Sequence, residues 1–403
     1  MIKVGLIVKP SGEWQGGVSY FRNLLSCYRK HPDPEVKLAL FSSKPESLAQ
    51  FRCDAIEVNF WPGTPKSPLW SLPQRAIRRS VGIDPILTGI LKRHRVDLLS
   101  HPWADDLDSL GRRADMPALL WMPDFQHKRL PHFFTEQDCA YRDSLVARSW
   151  QYGNLLLSSR AAERDFRQFY PELSAVRTHI LRFACASAVD LVPLSREELE
   201  SHYAIREPYF FLPNQFWQHK NHTVVVDALR QTPPEIRVIC TGLMSDPRSP
   251  GYVPDLMEKV KNSGLENRFV CLGKVPFPVL VSLMHYSIAV LQPSLFEGWS
   301  TTIEESKAMC KRIILSNIDV HLEQAPERGL YFSPDSSYQL AEHLKRAYAE
   351  FDPRTEERFA MQRQQFKART DGKWVAEYAR ILRMVCEERP IMSEGNHSWQ
   401  KSH

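Results

Sequence analysis

Short apolar runs, separated by segments of helical pattern, recur along the whole sequence. Continuous apolar runs of this length are typical of parallel strands buried on both faces of a sheet. Alternation of strands and helices implies parallel sheets with helices on both sides. We therefore predict an α/β fold with doubly wound sheets. The runs in the first half are KVGLIV, VKLALFS, DAIEVNF, VDLLSHP, ALLWMPD, NLLLSS and HILRF, and those in the second half are YFFLPN, IRVICTG, RFVCLG, IAVLQPS, RIILSN and LYFSP.

Two series of runs fit a chain of 403 residues, which is too long for one typical hydrophobic core. We predict an N-terminal Rossmann-like domain over residues 1–185 and a C-terminal one over residues 208–375. Residues 186–207 mix small, proline and charged side chains, which predicts a linker or connecting helix. Residues 376–403 are predicted to form a helix that packs back on the N-terminal domain, followed by a polar tail.

Eight cysteines are scattered without a CxxC pair, and several lie inside apolar runs. This pattern predicts a reducing compartment rather than a disulfide scaffold. The apolar run near the N-terminus is too short for a signal peptide, and no stretch reaches the length of a membrane span. We expect a cytoplasmic protein.

Positive charge is concentrated in the first quarter of the chain. Residues 1–100 hold 15 Lys and Arg against 8 Asp and Glu. Such a basic excess indicates an anionic partner, although a solvated basic face is the alternative. Residues 74–96 combine basic side chains with leucine and isoleucine, so we predict peripheral contact with an anionic membrane at its inner face. No nucleic-acid partner is predicted.

The most informative motif is QPSLFEGWSTTIEESKAM at residues 292–309. A predicted buried strand ends in a loop holding Glu297 and Gly298, and hydroxyl side chains then open a helix that carries Glu305. A helix N-terminus presents free N–H groups and positive partial charge, which suit phosphate. Carboxylates accept hydrogen bonds from sugar hydroxyls. The motif predicts a site at the carboxyl edge of a sheet, although a capped helix with two surface acids is the alternative.

This Glu-x7-Glu pattern after a buried strand resembles the signature of the retaining glycosyltransferase family 4, which has the GT-B fold. The resemblance implies two Rossmann-like domains facing a cleft. It also implies that Glu297 contacts the hydroxyls of the donor sugar and that Glu305 holds the ribose of the nucleotide. The family usually has Gly-x-Pro after this helix, where this chain has Cys310, Lys311 and Arg312, so we expect a differently built turn.

A second motif, FLPNQFWQHKNH at residues 211–222, places Lys220 before a predicted helix. The resemblance implies that Lys220 binds the donor pyrophosphate. Asn214 stands where the family often has an arginine, so another residue must supply that charge. His219 and His222 are spaced for one helix face, but no third ligand completes a metal site.

Three further loops carry predicted site residues. The resemblance places His127, in WMPDFQHKRL, opposite the donor sugar. It places the glycines of GEWQGG, in a loop between a strand and a helix, against the donor phosphates and the acceptor, where glycine permits close backbone approach. It places the loops of ICTG and CLGKVP beside the nucleotide base. The predicted catalytic residues are His127 and Glu297, and the predicted donor-binding residues are Gly16, Gly17, Lys220, Gly242, Lys274, Val275, Gly298, Ser300, Thr301, Thr302 and Glu305.

The resemblance implies a retaining hexosyltransferase that moves a hexose or deoxyhexose from a nucleotide-diphosphate sugar to a glycan or lipid-linked acceptor. Surface polysaccharide or lipopolysaccharide biosynthesis is the expected setting. Lys220 and the helix start are expected to stabilise the leaving diphosphate, so we predict no metal and no cofactor. The Asp-x-Asp in DDLD at residues 105–108 is interpreted as a chance match. A GT-B-fold nucleotide-sugar epimerase and an inactive nucleotide- or glycan-binding module are the alternatives.

Overall fold

Two parallel β-sheets organise the chain, one in each half. The computed structural model describes residues 1–8, 15–61, 85–102, 116–184, 192–205, 208–361 and 363–387. The first sheet has seven strands in the order β3-β2-β1-β4-β5-β6-β7, and the second has six in the order β10-β9-β8-β11-β12-β13. Each of these strands falls within or overlaps one of the apolar runs, so the predicted α/β, doubly wound fold is confirmed.

The strands are β1 (Ile2–Ile7), β2 (Val36–Ser42), β3 (Ile56–Phe60), β4 (Leu98–Ser100), β5 (Ala118–Met122), β6 (Asn154–Leu157), β7 (Arg177–Ile180), β8 (Phe210–Leu212), β9 (Val238–Cys240), β10 (Phe269–Cys271), β11 (Val290–Gln292), β12 (Ile313–Ser316) and β13 (Gly329–Phe332). All the pairings between them are parallel. Most are short and fully buried, as expected for strands covered on both faces.

The α-helices of the described part are α1 (Gln15–Lys30), α2 (Pro85–Arg93), α3 (Gln126–Arg129), α4 (Glu136–Ala147), α5 (Arg160–Phe169), α6 (Arg196–Tyr203), α7 (His222–Leu229), α8 (Tyr252–Asn262), α9 (Phe277–Tyr286), α10 (Thr301–Ala308), α11 (Asp319–Gln324), α12 (Ser337–Ala349), α13 (Pro353–Met361) and α14 (Arg363–Glu387). Single 3-10 turns link several of them, including Gln218–Lys220 before α7.

The strand order reverses at one place in each sheet. In the first sheet β1 lies between β2 and β4, and in the second β8 lies between β9 and β11. Consecutive crossovers therefore run in opposite directions from β1 and from β8, which opens a crevice at the carboxyl ends of these strands. Ligands of open α/β sheets bind in such crevices.

The region predicted as a linker contains helix α6. Ser195 and Glu198 form a reciprocal capping box at its start, and Leu199 and Ile205 pack into the core of the C-terminal half. Residues 195–205 thus lie against the C-terminal half, while residues 185–191 fall outside the described part of the chain.

Helix α14 is longer than predicted and runs without a break through residue 375, the predicted end of the C-terminal domain. Its later turns bury Val375, Tyr378 and Leu382 in the core of the N-terminal half, while its neighbours also include α10 and α13 of the C-terminal half. The Tyr378 hydroxyl donates to Ser100 Oγ at 3.0 Å. One helix therefore joins the two halves.

The basic segment at residues 74–96 is described only from residue 85 onward. There, Leu87 and Leu91 of α2 are buried in the core, whereas Lys92, Arg93 and Arg95 are exposed. The leucines of this part are thus used for packing inside the protein. Among the described residues, no helix has the length and apolar character needed to cross a membrane.

The turn after α10, at residues 310–312, is held by a left-handed residue and a buried lysine. Cys310 adopts a left-handed conformation with φ of 54°. Lys311 is buried, and its Nζ donates to the carbonyl oxygen of Ser287 at 2.7 Å and to Glu356 Oε2 at 3.1 Å. The turn is thus built differently from Gly-x-Pro, as expected, with a buried ion pair and carbonyl acceptors around Lys311.

Candidate active site at the strand ends

Lys220 and Glu297 meet at the carboxyl edge of the second sheet. They follow β8 and β11, which are adjacent strands paired through Phe211 and Val290. Lys220 Nζ lies 2.6 Å from Glu297 Oε1, and the side chains are only 15% and 10% exposed. Two residues that are 77 positions apart in sequence are thus brought together at the point where the strand order reverses.

The described hydrogen-bond donors of Glu297 all bind one oxygen of its carboxylate. Besides Lys220, Gln292 Nε2 at 2.8 Å and Ser294 Oγ at 2.7 Å donate to the same oxygen, Oε1. Burial raises the pKa of Glu297, but Lys220, His321 and Ser294 together hold that pKa below its usual range. No residue in the described ranges donates to Oε2, so an ionised carboxylate keeps one oxygen for a ligand.

Asn214, at the position where the resembled family often has an arginine, forms a hydrogen bond to a neutral side chain. Its Nδ2 donates to Gln292 Oε1 at 3.0 Å, and the Gln292 amide group donates in turn to Glu297. Asn214 is buried and neutral, and it fixes the orientation of the Gln292 amide. Through Gln292, the residue at this position therefore orients the Glu297 carboxylate.

Arg248, which sequence reasoning missed, lies where the two halves meet. Its Nη1 donates to Gln126 Oε1 at 3.1 Å, and its Nη2 lies 3.2 Å from His219 Nδ1. The guanidinium stacks over the rings of Trp217, at 5.2 Å, and Phe134, at 4.9 Å. It is thus a cation at the edge of the cleft, in a loop after β9 that carries no recognisable motif.

The start of α10 combines a hydroxyl cap with a side-chain clamp. Ser300 Oγ accepts from the N–H of Ile303 at 3.4 Å. The amide of Gln324 binds the backbone of Ser300 at both its N–H and its carbonyl oxygen, at 3.1 and 2.9 Å. The N–H groups of Thr301 and Thr302, in the first turn, have no acceptor within the helix. They are available to an anion.

Glu305 lies one turn further along α10. It is partly buried, and no described side chain forms a hydrogen bond with its carboxyl group. Burial raises the pKa of Glu305 to about 7. A carboxyl group without a protein partner at this place is suited to accept hydrogen bonds from a ligand.

Gly298 is the point at which the loop after β11 touches the N-terminal half. A Cβ atom on Gly298 would lie 2.6 Å from the carbonyl oxygen of Pro123 and 2.7 Å from Asp124 Cβ. Glycine is thus required by close approach of another backbone. The contact brings the loop of Glu297 against the loop that leads from β5 into α3, where His127 lies.

His127 is buried, and its Nε2 lies 3.0 Å from both Asp143 Oδ1 and the Tyr170 hydroxyl. The Tyr170 hydroxyl donates its hydrogen to Asp143 at 2.5 Å. Both partners of Nε2 therefore act as acceptors, so Nε2 carries the hydrogen. Burial lowers the pKa of His127. The ring is neutral, and its Nδ1, buried without a partner among the described residues, is an acceptor.

Buried polar atoms without a partner are rare in folded proteins. Among the described residues such atoms occur at several places, for example on Thr88 and Ser149, and five of the residues follow strands of the two sheets, namely His127, Ser158, Thr241, Trp299 and His321. Their positions after β5, β6, β9, β11 and β12 place them at carboxyl edges, where a ligand would meet them.

The remaining predicted residues have mixed placements. Gly16 and Gly17 lie in the first turn of α1 and not in the predicted loop. The N–H groups of a first helical turn have no acceptor within the helix, and this turn tolerates glycine. Gly242 has φ of 134°, and a Cβ there would lie 2.5 Å from the carbonyl oxygen of Asn214, so glycine is required. Lys274 is exposed, and Val275 packs at the edge of the core.

Metal ligands are absent from the part of the chain that the structure describes: no three His, Cys, Asp or Glu side chains converge there. The ring of His222 stacks on Phe216 at 4.3 Å, and His219 faces Arg248. Residues 105–108, with the Asp-x-Asp triplet, lie outside the described residues. The absence of a metal requirement stays a prediction.

The two sheets and the site at their facing edges define the class of protein: this chain is a glycosyltransferase with the GT-B fold. More particularly, residues 195–365 match the model of the family described as Glycosyl transferases group 1. The predicted fold, enzyme class and family resemblance are thus confirmed at this level, while family 4 stays a prediction. No curated protein sequence matches the chain.

Solved structures share the fold over nearly the whole chain. The Anabaena protein Alr3699/HepE in complex with UDP has 17% identity and a TM-score of 0.68, covering 95% of this chain and 100% of that one. Sucrose-phosphate synthase from Thermosynechococcus elongatus has 15% identity and a TM-score of 0.66, covering 96% and 99%. WaaG, a glycosyltransferase involved in lipopolysaccharide biosynthesis, has 14% identity and a TM-score of 0.59, covering 94% and 99%. At these identities the likeness shows the fold.

Proposed function

We propose that this glycosyltransferase moves a hexose or deoxyhexose from a nucleotide-diphosphate sugar to a glycan or lipid-linked acceptor, with retention of configuration. The observation that carries the proposal is the buried Lys220–Glu297 pair at the switch point of the second sheet. It lies beside the start of α10, and Glu297 keeps one carboxylate oxygen without a donor. A cation, a helix start and a carboxylate in one crevice suit a phosphorylated sugar.

The donor is assigned to the C-terminal half. Lys220 and the N–H groups of Thr301 and Thr302 would bind the diphosphate, Glu305 would accept from the ribose hydroxyls, and Glu297 would accept from the sugar hydroxyls. The loops of Gly242 and of Lys274 and Val275 would flank the base. Crystal structures of Alr3699/HepE hold UDP and UDP-glucose, which supports a nucleotide sugar as the donor here.

The chemistry follows from where charge develops. Breaking the bond between the sugar and the phosphate leaves negative charge on the diphosphate, and Lys220 and the start of α10 would stabilise it. In the retaining reaction we propose, the departing phosphate oxygen takes the proton of the acceptor hydroxyl on the same face of the sugar. The bare Nδ1 of neutral His127 would hold a sugar hydroxyl in place. Contact at Gly298 between the two halves would exclude water from the cleft.

The acceptor is assigned to the N-terminal half, on the other wall of the cleft. WaaG is involved in lipopolysaccharide biosynthesis, which supports a surface polysaccharide or lipopolysaccharide pathway. A cytoplasmic site of action is part of the same proposal. Membrane contact through residues 74–96 would depend, in the part that is described, on the exposed charges of Lys92, Arg93 and Arg95. Liposomes containing anionic lipid should then pellet the protein at low salt but not at high salt.

A panel of nucleotide diphosphates and nucleotide sugars tests the donor site by thermal unfolding. A ligand that binds only the folded state raises the melting temperature by mass action. We expect one base to give a clear rise that Glu305→Ala abolishes. Glu304→Gln is the matched control, because the Glu304 carboxylate already binds Lys307 and Gln324. The absence of a rise with any nucleotide at millimolar concentration would contradict the proposed donor site.

Turnover then separates the possible activities. Incubation of the stabilising nucleotide sugar with candidate glycan and lipid-linked acceptors should give a glycosylated product, and Glu297→Ala should lose it. Inversion at a sugar carbon without transfer would indicate an epimerase. Binding without turnover in either assay would indicate an inactive binding module.

A further inference from the structure

His321 is a buried histidine beside the site with one ring nitrogen committed and the other free. Its Nδ1 lies 2.9 Å from the carbonyl oxygen of Ser316 and 3.1 Å from Ser316 Oγ. The Ser316 hydroxyl donates its only hydrogen to the carbonyl oxygen of Ser294 at 2.6 Å. Both groups that face Nδ1 are therefore acceptors, so Nδ1 carries the hydrogen of the neutral ring. Nε2 is left with a bare lone pair.

No described residue hydrogen-bonds to that Nε2 atom, and the His321 side chain has no exposed surface. An unpaired acceptor buried in this way costs free energy, which binding of a donor group would restore. His321 lies just after β12, next to β11, at the same carboxyl edge as Glu297. A short hydrogen-bonded chain links them, since Ser294 accepts from Ser316 with its carbonyl oxygen and donates to Glu297 with its hydroxyl.

Burial keeps the His321 ring neutral. Burial lowers its pKa to about 4, with Glu297 raising the pKa and Lys220 lowering it. Around neutral pH, the free nitrogen is thus an acceptor and not a cation. An imidazole acceptor near a carboxylate acceptor calls for a ligand that donates hydrogen bonds from neighbouring positions, as the hydroxyl groups of a sugar do.

We propose that His321 Nε2 accepts a hydrogen bond from a hydroxyl of the donor sugar, as a second acceptor beside the free oxygen of Glu297. The proposal rests on the function proposed above. It deepens that function, because two acceptors at fixed positions select sugars whose hydroxyls fit both. His321 is thereby a binding residue for the sugar and makes no contact with the nucleotide.

The test compares two ligands, the nucleotide diphosphate and its sugar conjugate, whose dissociation constants are measured by calorimetry on wild type and variants. The probes are the nucleotide and nucleotide sugar that stabilise the wild type most in the panel. His321→Phe keeps a flat aromatic ring but cannot accept a hydrogen bond, so the nucleotide sugar should bind about 10-fold more weakly. The nucleotide diphosphate alone should bind as to wild type. His343→Phe is the control, because His343 Nε2 already binds the carbonyl oxygen of Tyr331 at 2.9 Å.

Two amide variants keep the test decisive if the phenylalanine variant does not fold. The amide of His321→Gln reaches the place of Nε2 and can accept there, whereas that of His321→Asn reaches only the place of Nδ1. The glutamine variant should keep most of the affinity for the nucleotide sugar and the asparagine variant should lose it. Equal weakening for both ligands, or no weakening, overturns the proposal and leaves the donor site standing. Failure of the wild type to bind any nucleotide overturns the proposed function itself.

Discussion

Glu305 and Glu297 are both acidic side chains at one edge of a sheet, yet their surroundings give them opposite properties. Glu297 is compensated by Lys220 and two neutral donors, so its pKa lies below the usual range. Glu305 has no partner among the described side chains, so burial alone determines its pKa of about 7. The Glu297 carboxylate is thus charged and oriented before a ligand binds, whereas the Glu305 carboxylate gains hydrogen-bond partners only from a ligand.

Removing the charge of Glu305 should stabilise the unliganded protein above pH 7. The folded-state pKa, about 7, lies above the ordinary 4.5, so the folded protein loses stability as pH rises through this range. We expect Glu305→Gln to raise the free energy of unfolding by about 1–3 kcal/mol at pH 8 and by little at pH 5. Urea unfolding of wild type and variant at the two pH values measures this change in the free energy of unfolding. An equal gain at both, or a loss at pH 8, would contradict the assignment.

Gly298→Ala should separate binding from transfer. The added Cβ would press on the backbone of Pro123, which cannot yield as a flexible side chain would, so the two halves must move apart. We expect the rate of transfer to fall by about 100-fold, as misplaced reacting groups do, with nucleotide affinity changed much less. Gly251→Ala is the control, because the nearest atom to its Cβ would be 3.7 Å away. Unchanged transfer by Gly298→Ala would refute the role of this contact.

At the scale of elements, a carboxylate from one half caps a helix of the other. Glu323, in α11, accepts from the N–H groups of Arg160 and Ala161 at the start of α5, each at 3.0 Å. Arg182 Nη2 donates to the same carboxylate at 3.0 Å. A negative charge at a helix N-terminus is stabilised by the free N–H groups and by the helix dipole. The cap can form only when the two halves are in contact, because Glu323 and the start of α5 belong to different halves.

Loss of the Glu323 cap should loosen the contact between the halves. Glu323→Ala leaves two backbone donors and Arg182 without their acceptor, at a cost of about 1–3 kcal/mol. We expect the radius of gyration in solution, measured by small-angle X-ray scattering, to increase without ligand and to return towards the wild-type value with nucleotide sugar. Glu327→Ala, an exposed acid of the same half, should leave it unchanged. A radius that matches wild type would show that the cap does not hold the closed arrangement.

Sequence patterns anticipated the elements well, because strands buried on both faces leave continuous apolar runs such as VKLALFS and IAVLQPS. They also placed Lys220 and Glu297 after strand ends, and the structure brings both to the same edge of the second sheet. Arg248, Glu323 and the partners of His127 could not be found in this way. Their contacts join distant positions such as 248 with 126 and 323 with 160, and only the packed fold sets these distances.

At the scale of the whole molecule, helix α14 makes the two halves depend on each other. Leu382 is fully buried in the N-terminal core although it lies near the end of the described chain. Leu382→Ala should lower the stability of that core by about 2–5 kcal/mol. The melting-temperature rise caused by nucleotide should persist, because the donor site lies in the other half. Loss of that rise would place the helix in the donor site.

The packing of α14 on the N-terminal core also sets the order in which the two halves complete their folding. A ribosome releases domains from the N-terminus onward, and each usually folds as it emerges. Here the N-terminal half lacks Val375, Tyr378 and Leu382 from its core until the rest of the polypeptide has been made. The half that is synthesised first is therefore completed only after the second half, and its apolar binding surface for α14 stays uncovered until that helix has been made.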